Sequence, residues 1–338
     1  GNLMSPVQKQ NGLSLVELMV AIVLGLILVA GIIELFVNNR QVYRVQDAQS
    51  RLQENGRYAM NVLSQSIERA GYLGCATRSA LNINNLLNTS NDYLWDITTP
   101  IEGQEATGAN QWTPTRDDSV TPTVPGSDVL TIRIIEPPEL RVISHPTAGT
   151  PGSADITVSS ANGLQTGDIV LAHDCVAGAI FQITADPAAG TIKHASGAGT
   201  PGNSAEALGH NFGAGWINKI ATNSFFIRNN GNGVPSLYRR SGTSNAVELV
   251  EGIETMQIQY GVDTTGNGAA NTYQTANQIG NWNNVVSVRI SLVMVSIEDN
   301  LTVDGTQSYN LEGNSVTPAD RRLRRVFSRT VTLRNRVS

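Results

Sequence analysis

The chain reads as an α+β protein: one long N-terminal helix followed by a globular domain built from strands. Three observations predict this. An apolar run fills residues 13–37. A helical pattern continues behind it to residue 70, with no proline between Pro6 and Pro100. After Gly71 the texture changes to short alternating segments parted by Gly, Pro, Asn and Ser.

The apolar run carries only two charges, Glu17 and Glu34. As a helix rising ~1.5 Å per residue it spans roughly 37 Å, enough for a ~30 Å hydrocarbon core. A cleaved secretory signal has a shorter apolar core of about 7–15 residues. This run is longer, has an acid near its start and runs on into a helical pattern. A plain single-pass anchor explains the length. It does not explain Glu17, or the short leader ending Lys9-Gln10-Asn11-Gly12. A charged side chain in lipid costs roughly 2.5–3.5 kcal/mol on insertion scales, which makes Glu17 a functional candidate with an amine as its natural partner. Ala21 and Gly25 form a small-xxx-small step; close helix packing and simple lipid contact both fit it.

Beyond the membrane-length half, Val45, Ala48, Leu52, Ala59, Val62, Ser66 and Ala70 recur at helical spacing. Arg44, Gln46, Asp47, Arg51, Glu54, Arg57, Glu68 and Arg69 fill the gaps. One continuous helix over residues 13–70 is expected, apolar in its first half (13–37) and amphipathic in its second (38–70). Gly71 is its expected C-cap. The amphipathic stripe needs an apolar partner, and the alternation in Ile253-Glu254-Thr255-Met256-Gln257-Ile258-Gln259-Tyr260 offers one.

Strands are expected at 128–135, 140–144, 156–160, 169–172, 179–184, 224–228, 236–240, 246–250, 253–262, 285–297 and 326–333, forming an antiparallel sheet. Residues 147–153 and 186–215 are turn-rich. The second stretch, rich in Ala and Gly, is expected as an ornate or mobile surface loop. With 338 residues and 40% apolar content, a substantial core fits in residues 71–338.

The net charge of −5 argues against nucleic acid as a partner. Residues 321–338 nevertheless hold Arg321, Arg322, Arg324, Arg325, Arg329, Arg334 and Arg336 and no acid, so the remainder carries −5 − 7 = −12. Alternation through Val326, Phe327, Ser328, Arg329 and Thr330 marks a terminal strand. A solvated strand face or subunit contact is the first reading, and a nucleic-acid or lipid patch the second.

No catalytic constellation emerges, and a non-enzymatic role without a cofactor is expected. His145, His173, His194 and His210 show no HExxH or metal spacing. The run His173-Asp174-Cys175 is not a nucleophile cluster, because adjacent strand residues point to opposite faces. Asp263-Thr264-Thr265-Gly266-Asn267-Gly268 is similar to the start of a calcium loop. Threonine replaces the second acid, and Gln274 stands where a bidentate glutamate is needed, so a turn is preferred over a calcium site.

The leader glycine Gly12, the hydrophobic Leu13 and the glutamate Glu17 five residues after Gly12 together resemble the type IV prepilin family, which includes the type II secretion pseudopilins. The resemblance implies a lollipop-shaped pilin fold. It implies a leader over residues 1–12, cleavage between Gly12 and Leu13 by a prepilin peptidase/N-methyltransferase, and N-methylation of Leu13. Glu17 then meets the new ammonium of a neighbouring subunit during assembly on an inner-membrane platform. Counting Arg40, Arg44, Arg51 and Arg57 against Lys9 puts the wrong end inside, so the orientation comes from the resemblance: leader cytoplasmic, globular domain periplasmic. Two widely separated cysteines, Cys75 and Cys175, in an exported domain suggest one disulfide; two buried free thiols are the alternative.

The globular part narrows the resemblance. Glu251-Gly252-Ile253-Glu254-Thr255-Met256-Gln257-Ile258-Gln259-Tyr260-Gly261-Val262-Asp263 is similar to PilW-type minor pilins. So are Val288-Arg289-Ile290-Ser291-Leu292, Phe327-Ser328-Arg329-Thr330-Val331-Thr332-Leu333-Arg334-Asn335, Ala70-Gly71-Tyr72-Leu73-Gly74-Cys75, and Asp174-Cys175 before Phe181-Gln182-Ile183-Thr184. This implies a low-abundance subunit that joins other minor pilins and the major pilin. It implies a priming complex that starts the pilus, sits at its tip and carries a PilY-type adhesin. A J-type pseudopilin of type II secretion is the runner-up. A membrane-anchored periplasmic binding protein or enzyme that keeps its leader is the reading from another class.

Overall fold

The structure, a computed structural model, describes residues 14–74, 82–147, 149–160, 163–197, 199–302 and 305–335. Helix α1 runs unbroken over Leu15–Arg69. At ~1.5 Å per residue it is roughly 80 Å long. Residues 14–40 are exposed throughout, whereas burial begins in earnest at Leu52. The helix ends where Ala70 leaves helical geometry and Gly71 takes a positive φ of 73°, which glycine adopts without a Cβ penalty.

The strands follow in order. They are β1 (Asn82–Asn85), β2 (Ile101–Gly108), β3 (Gln111–Thr113), β4 (Val129–Ser144), β5 (Ile156–Val158), β6 (Ile169–His173), β7 (Ala177–Gln182), β8 (Thr191–Ile192) and β9 (Trp216–Asn229). Then come β10 (Pro235–Ser241), β11 (Val247–Glu251), β12 (Ile253–Val262), β13 (Thr272–Gln274), β14 (Val285–Val295), β15 (Tyr309–Leu311), β16 (Asn314–Val316) and β17 (Arg324–Thr332). The large sheet runs β1-β7-β6-β9-β4-β2-β3, with β10 and β11 continuing from β9 and β5 and β8 from β4. A four-stranded sheet has the order β13-β12-β14-β17. The pairings are antiparallel except at one edge, where β1 runs parallel to β7. The expected all-antiparallel sheet is corrected there.

Two strands expected separately, at 128–135 and 140–144, are one. Strand β4 crosses Pro137-Pro138 with a register shift between Glu136 and Glu139. Prolines cannot donate to a ladder, so the strand bulges past them and resumes pairing with β9.

The helix stripe also needs correcting. The buried helix residues are Leu52, Gly56, Ala59, Met60, Leu63, Ser64 and Ile67; Val62 and Ser66 sit at the margin. The helix packs first on β17 and β14 rather than on β12, although Met256, Ile258 and Tyr260 join the same core. Gly56 explains the shift. A Cβ there would lie 2.4 Å from the Phe327 ring, so the ring lies directly against the helix backbone.

The 186–215 stretch is not a mobile surface loop. It buries His194, Asn203, Leu208 and Phe212 in a second core with Phe181, Val142 and Ile156. Asn203 acts as a staple. Its Oδ1 accepts from the Gln182 N–H at 2.7 Å, and its Nδ2 donates to the Gln182 carbonyl at 2.9 Å. A side-chain amide thus continues the ladder where the chain itself turns away.

Ser127 and Asp128 join the two sheets. The Asp128 N–H donates to the Met256 carbonyl (2.9 Å), and the Met256 N–H donates to Ser127 Oγ (3.1 Å). The Asp128 carboxylate accepts from Ala106 of β2 (2.9 Å) and from Ile258 of β12 (2.8 Å).

Candidate processing and assembly site

Glu17 lies in the first turn of α1, and Ser14 is the N-cap. Ser14 Oγ accepts from the Glu17 N–H at 3.2 Å, and Glu17 Oε2 accepts from the Ser14 N–H at 3.0 Å. This reciprocal capping box satisfies two of the N–H groups a helix start leaves without partners. It also sets a carboxylate at the positive end of the helix dipole. No hydrogen bond to Glu17 Oε1 occurs among the described residues. Gly12 and Leu13 lie outside the described residues. Glu17 is legible in the sequence by its charge; Ser14 is legible only through the S-x-x-E pattern ahead of an apolar run, a capping-box signal.

The rest of this half presents Leu15, Met19, Ile22, Leu26 and Ile33 outward, exposed among the described residues. Among the described residues α1 is the one helix long and apolar enough to cross a membrane. Ala21 and Gly25 stand on it, and a Cβ at Gly25 would meet nothing within 4 Å. Where the polar half begins, Gln41 donates to the Asn300 carbonyl (3.1 Å) and Arg44 bonds Glu298 (3.0 Å). These contacts tie the β14–β17 connection to the helix.

Among the described residues, the others singled out in the sequence do not gather around Glu17. His173 ends β6 and bonds Asn218 (3.0 Å), while Asp174 meets His210 at 2.6 Å. Burial pushes the Asp174 carboxyl up. The His210 bond and the N–H groups of Ala177 and Val176 outweigh it and hold the group below its ordinary value. Cys175 occupies a turn at φ 68° and is not a free thiol; Cys75 lies outside the described residues. The Asp263 loop closes on itself. Asp263 Oδ1 accepts from Thr265 (2.9 Å) and Gly266 (2.7 Å), and Oδ2 from Gly268 (2.7 Å). Both carboxylate oxygens hold the turn. Among the described residues no three His, Cys, Asp or Glu side chains are grouped as metal ligands.

The arginine-rich terminus separates into individual roles. Arg324 is buried, 3% exposed, between Glu254 (2.7 Å) and Asp320 (2.6 Å). Its guanidinium holds the Asp320 carboxyl down at about 2. Arg321 and Arg322 donate to the carbonyls of Thr302 (3.0 Å) and Ser296 (3.4 Å). Arg334 approaches Glu68 at 3.6 Å. Arg325 lies over the Phe327 ring at 5.4 Å, and Arg329 is exposed. Arg336 lies outside the described residues. The burial of Arg324 is not legible in a run of four arginines over residues 321–325, since nothing in the run distinguishes it.

Comparison with known families gives two matches. The family model described as Type IV Pilus-assembly protein W matches residues 224–335, and the Prokaryotic N-terminal methylation motif matches residues 7–33. No curated protein and no solved structure matches the chain.

Proposed function

We infer that this chain, which carries a PilW region behind a prepilin-type methylation motif, works as a minor pilin of the type IV pilus. The observation that carries the reading is the presence of both matches in one chain, with Glu17 at the head of an exposed membrane-length helix. A prepilin peptidase/N-methyltransferase cuts between Gly12 and Leu13 and methylates Leu13. The mature chain sits in the inner membrane with residues 71–338 in the periplasm. It then enters a priming and tip complex with other minor pilins, the major pilin and a PilY-type adhesin, driven by the inner-membrane assembly platform. Cys75 and Cys175 are bridged. The role is structural, not enzymatic.

Within this reading Glu17 acts through its second oxygen. One oxygen caps the helix through Ser14, which leaves Oε1 for the methylated ammonium of a neighbour's Leu13. In a low-dielectric surrounding, an ammonium without a carboxylate is strongly disfavoured, so the pair sets register more than it adds stability. Glu17→Ala is expected to insert in the membrane normally and fail to assemble; cell fractionation and counts of the subunit in sheared pili measure both. Normal incorporation of this variant would sink the register role. N-terminal mass analysis tests the processing step: the mature chain begins at methylated Leu13, and an intact leader refutes it. Co-purification with minor pilins, rather than with secretion pseudopilins, separates the pilus from the J-type alternative.

A further inference from the structure

Strand β17 closes one side of the four-stranded sheet and, among the described residues, pairs only with β14. Its register runs without a shift from Thr332 opposite Ser287 to Arg324 opposite Val295. Just beyond its ends, the Leu333 N–H donates to the Val286 carbonyl and the Leu323 carbonyl accepts from the Ser296 N–H, both at 2.9 Å. Odd-numbered residues therefore direct their backbone groups at β14. The two-residue period of a strand turns the N–H and C=O of Val326, Ser328, Thr330 and Thr332 the other way. Among the described residues these groups have no backbone partner.

Open edges are normally blunted by brevity, proline or a bulge. The opposite edge of this sheet, β13, is three residues long. Strand β17 is nine residues long and has no Pro, no Gly and no bulge. Of the guards a strand can itself carry, it has charge; α1 and β15 also pack against it. Arg325 and Arg329 are exposed on the helix-facing side, and neither has a carboxylate partner among the described residues. A second copy laid antiparallel about Phe327 would set Arg325 against Arg329, which is unfavourable across a strand pair.

We propose that the outer edge of β17 is a strand-addition site for an extended segment of another protein, with carboxylates at alternate positions opposite Arg325 and Arg329. The outward N–H and C=O groups bind such a segment through its backbone, and the two arginines select its charge. The inserted strand would lie beside α1 and extend the sheet that holds the helix. The proposal stands on the geometry of β17 and does not need the pilus reading.

The test uses the full chain in detergent micelles. The probe is an acetylated nonapeptide alternating Glu and Thr, and its counterpart has Lys in place of Glu. The acidic peptide is expected to bind, to slow hydrogen exchange at the Ser328 and Thr330 amides, and to weaken as salt rises. Thr330→Pro removes one outward N–H and leaves the β14 ladder whole, so affinity should fall at least tenfold with the melting curve unchanged. Arg329→Glu should reverse the preference towards the lysine peptide, and this keeps the test decisive if the proline variant folds poorly. Equal binding of both peptides, no protection at Ser328 and Thr330, or wild-type affinity in Thr330→Pro would overturn the proposal. Self-association of the chain that Thr330→Pro abolishes would overturn the choice of a foreign partner. N-terminal mass analysis judges the processing reading independently of all these arms.

Discussion

The sheet that carries the helix and the lobe beside it hold together in different ways. In β12, β14 and β17, alternate residues face α1: Met256, Ile258 and Tyr260, then Val288, Ile290, Leu292 and Met294, then Phe327 and Val331. Apolar burial along regular strands supplies the stability there. The lobe around β5 to β8 has strands as short as two residues. It relies on side chains that replace missing ladder bonds. Gln182 and Asn203 exchange bonds across a turn, and His194 bonds the carbonyls of Glu206 and Ala154 at 2.8 and 3.0 Å. The Type IV Pilus-assembly protein W match starts at residue 224, inside β9, and takes in the helix-bearing sheet; the lobe lies outside it. A sheet that must receive a helix has its inward face dictated, while a lobe stapled by single amides is constrained only at the staples.

The largest test of this contrast is the proposed cysteine bridge. Cys175→Ser opens a loop of about 100 residues, for which the chain-entropy model gives up to ~4.7 kcal/mol and engineered cases often less. Hydrogen exchange should show β6 and β7 losing protection while β12 and β14 keep theirs. Equal loss in both would show one cooperative unit and break the contrast. Arg324→Ala acts on the other side. It leaves Glu254 and Asp320 facing each other without their cation. Losing one partner of a buried ion pair costs roughly 3–5 kcal/mol. The low end applies, because the two carboxylates are 33% and 36% exposed. Denaturant unfolding of the full chain in micelles measures it. A change near zero would mean that solvent screens the triad.

Gly56 gives a smaller and sharper test. Gly56→Ala gains helix propensity of roughly 1 kcal/mol but forces the Phe327 ring away. Overpacking costs typically about 1–3 kcal/mol, so a net loss of about 1 kcal/mol is expected. Pairing it with Phe327→Ala should recover most of that loss, and a double-mutant cycle reports the coupling. Additive effects would mean the ring does not rest on the helix.

The same contrast decides what could be read from sequence. Strand β12 falls where its alternation places it, at Ile253–Val262, because inward and outward positions differ in chemistry at every step. The helix is legible for the same reason, but the periodicity alone places its stripe off-centre. Gly56 carries no apolar signal, yet it is the point of closest approach. Strands β1, β2 and β3 are not legible in the sequence, because segments such as Asn82-Ile83-Asn84-Asn85 lack alternation and are ordered by their neighbours. The 186–215 stretch looked like surface, since a staple such as Asn203 is invisible until its partner is in place. At the candidate site Glu17 stood out by its cost in lipid, whereas Ser14 is an ordinary serine unless the capping pattern is sought.

The smallest effect concerns the seam between the two sheets and has a definite sign. Burial beside Glu105 pushes the Asp128 carboxyl up to about 8, against the N–H groups of Ala106 and Ile258 that pull it down. Glu105 of β2, Glu312 at the β15–β16 turn and Tyr260 of β12 are the other titratable groups facing it. A carboxyl raised above its unfolded value binds more protons when folded. Its contribution is complete below about pH 4 and is lost as pH rises through about 8. Asp320, held down at about 2, works the opposite way: its contribution is present above about pH 4 and lost as pH falls through about 2. The windows do not overlap, so thermal melts can separate them. Between pH 4 and 8 the full chain should lose stability on the order of 1 kcal/mol, less than the full shift implies because Glu105 titrates alongside. Asp128→Ala should flatten that slope while leaving the acid limb below pH 4 unchanged. Arg324→Ala should flatten the acid limb and leave the upper slope. If Asp128→Ala leaves the upper slope intact, the seam carboxyl is ionised in the folded chain, and the two N–H donors outweigh burial.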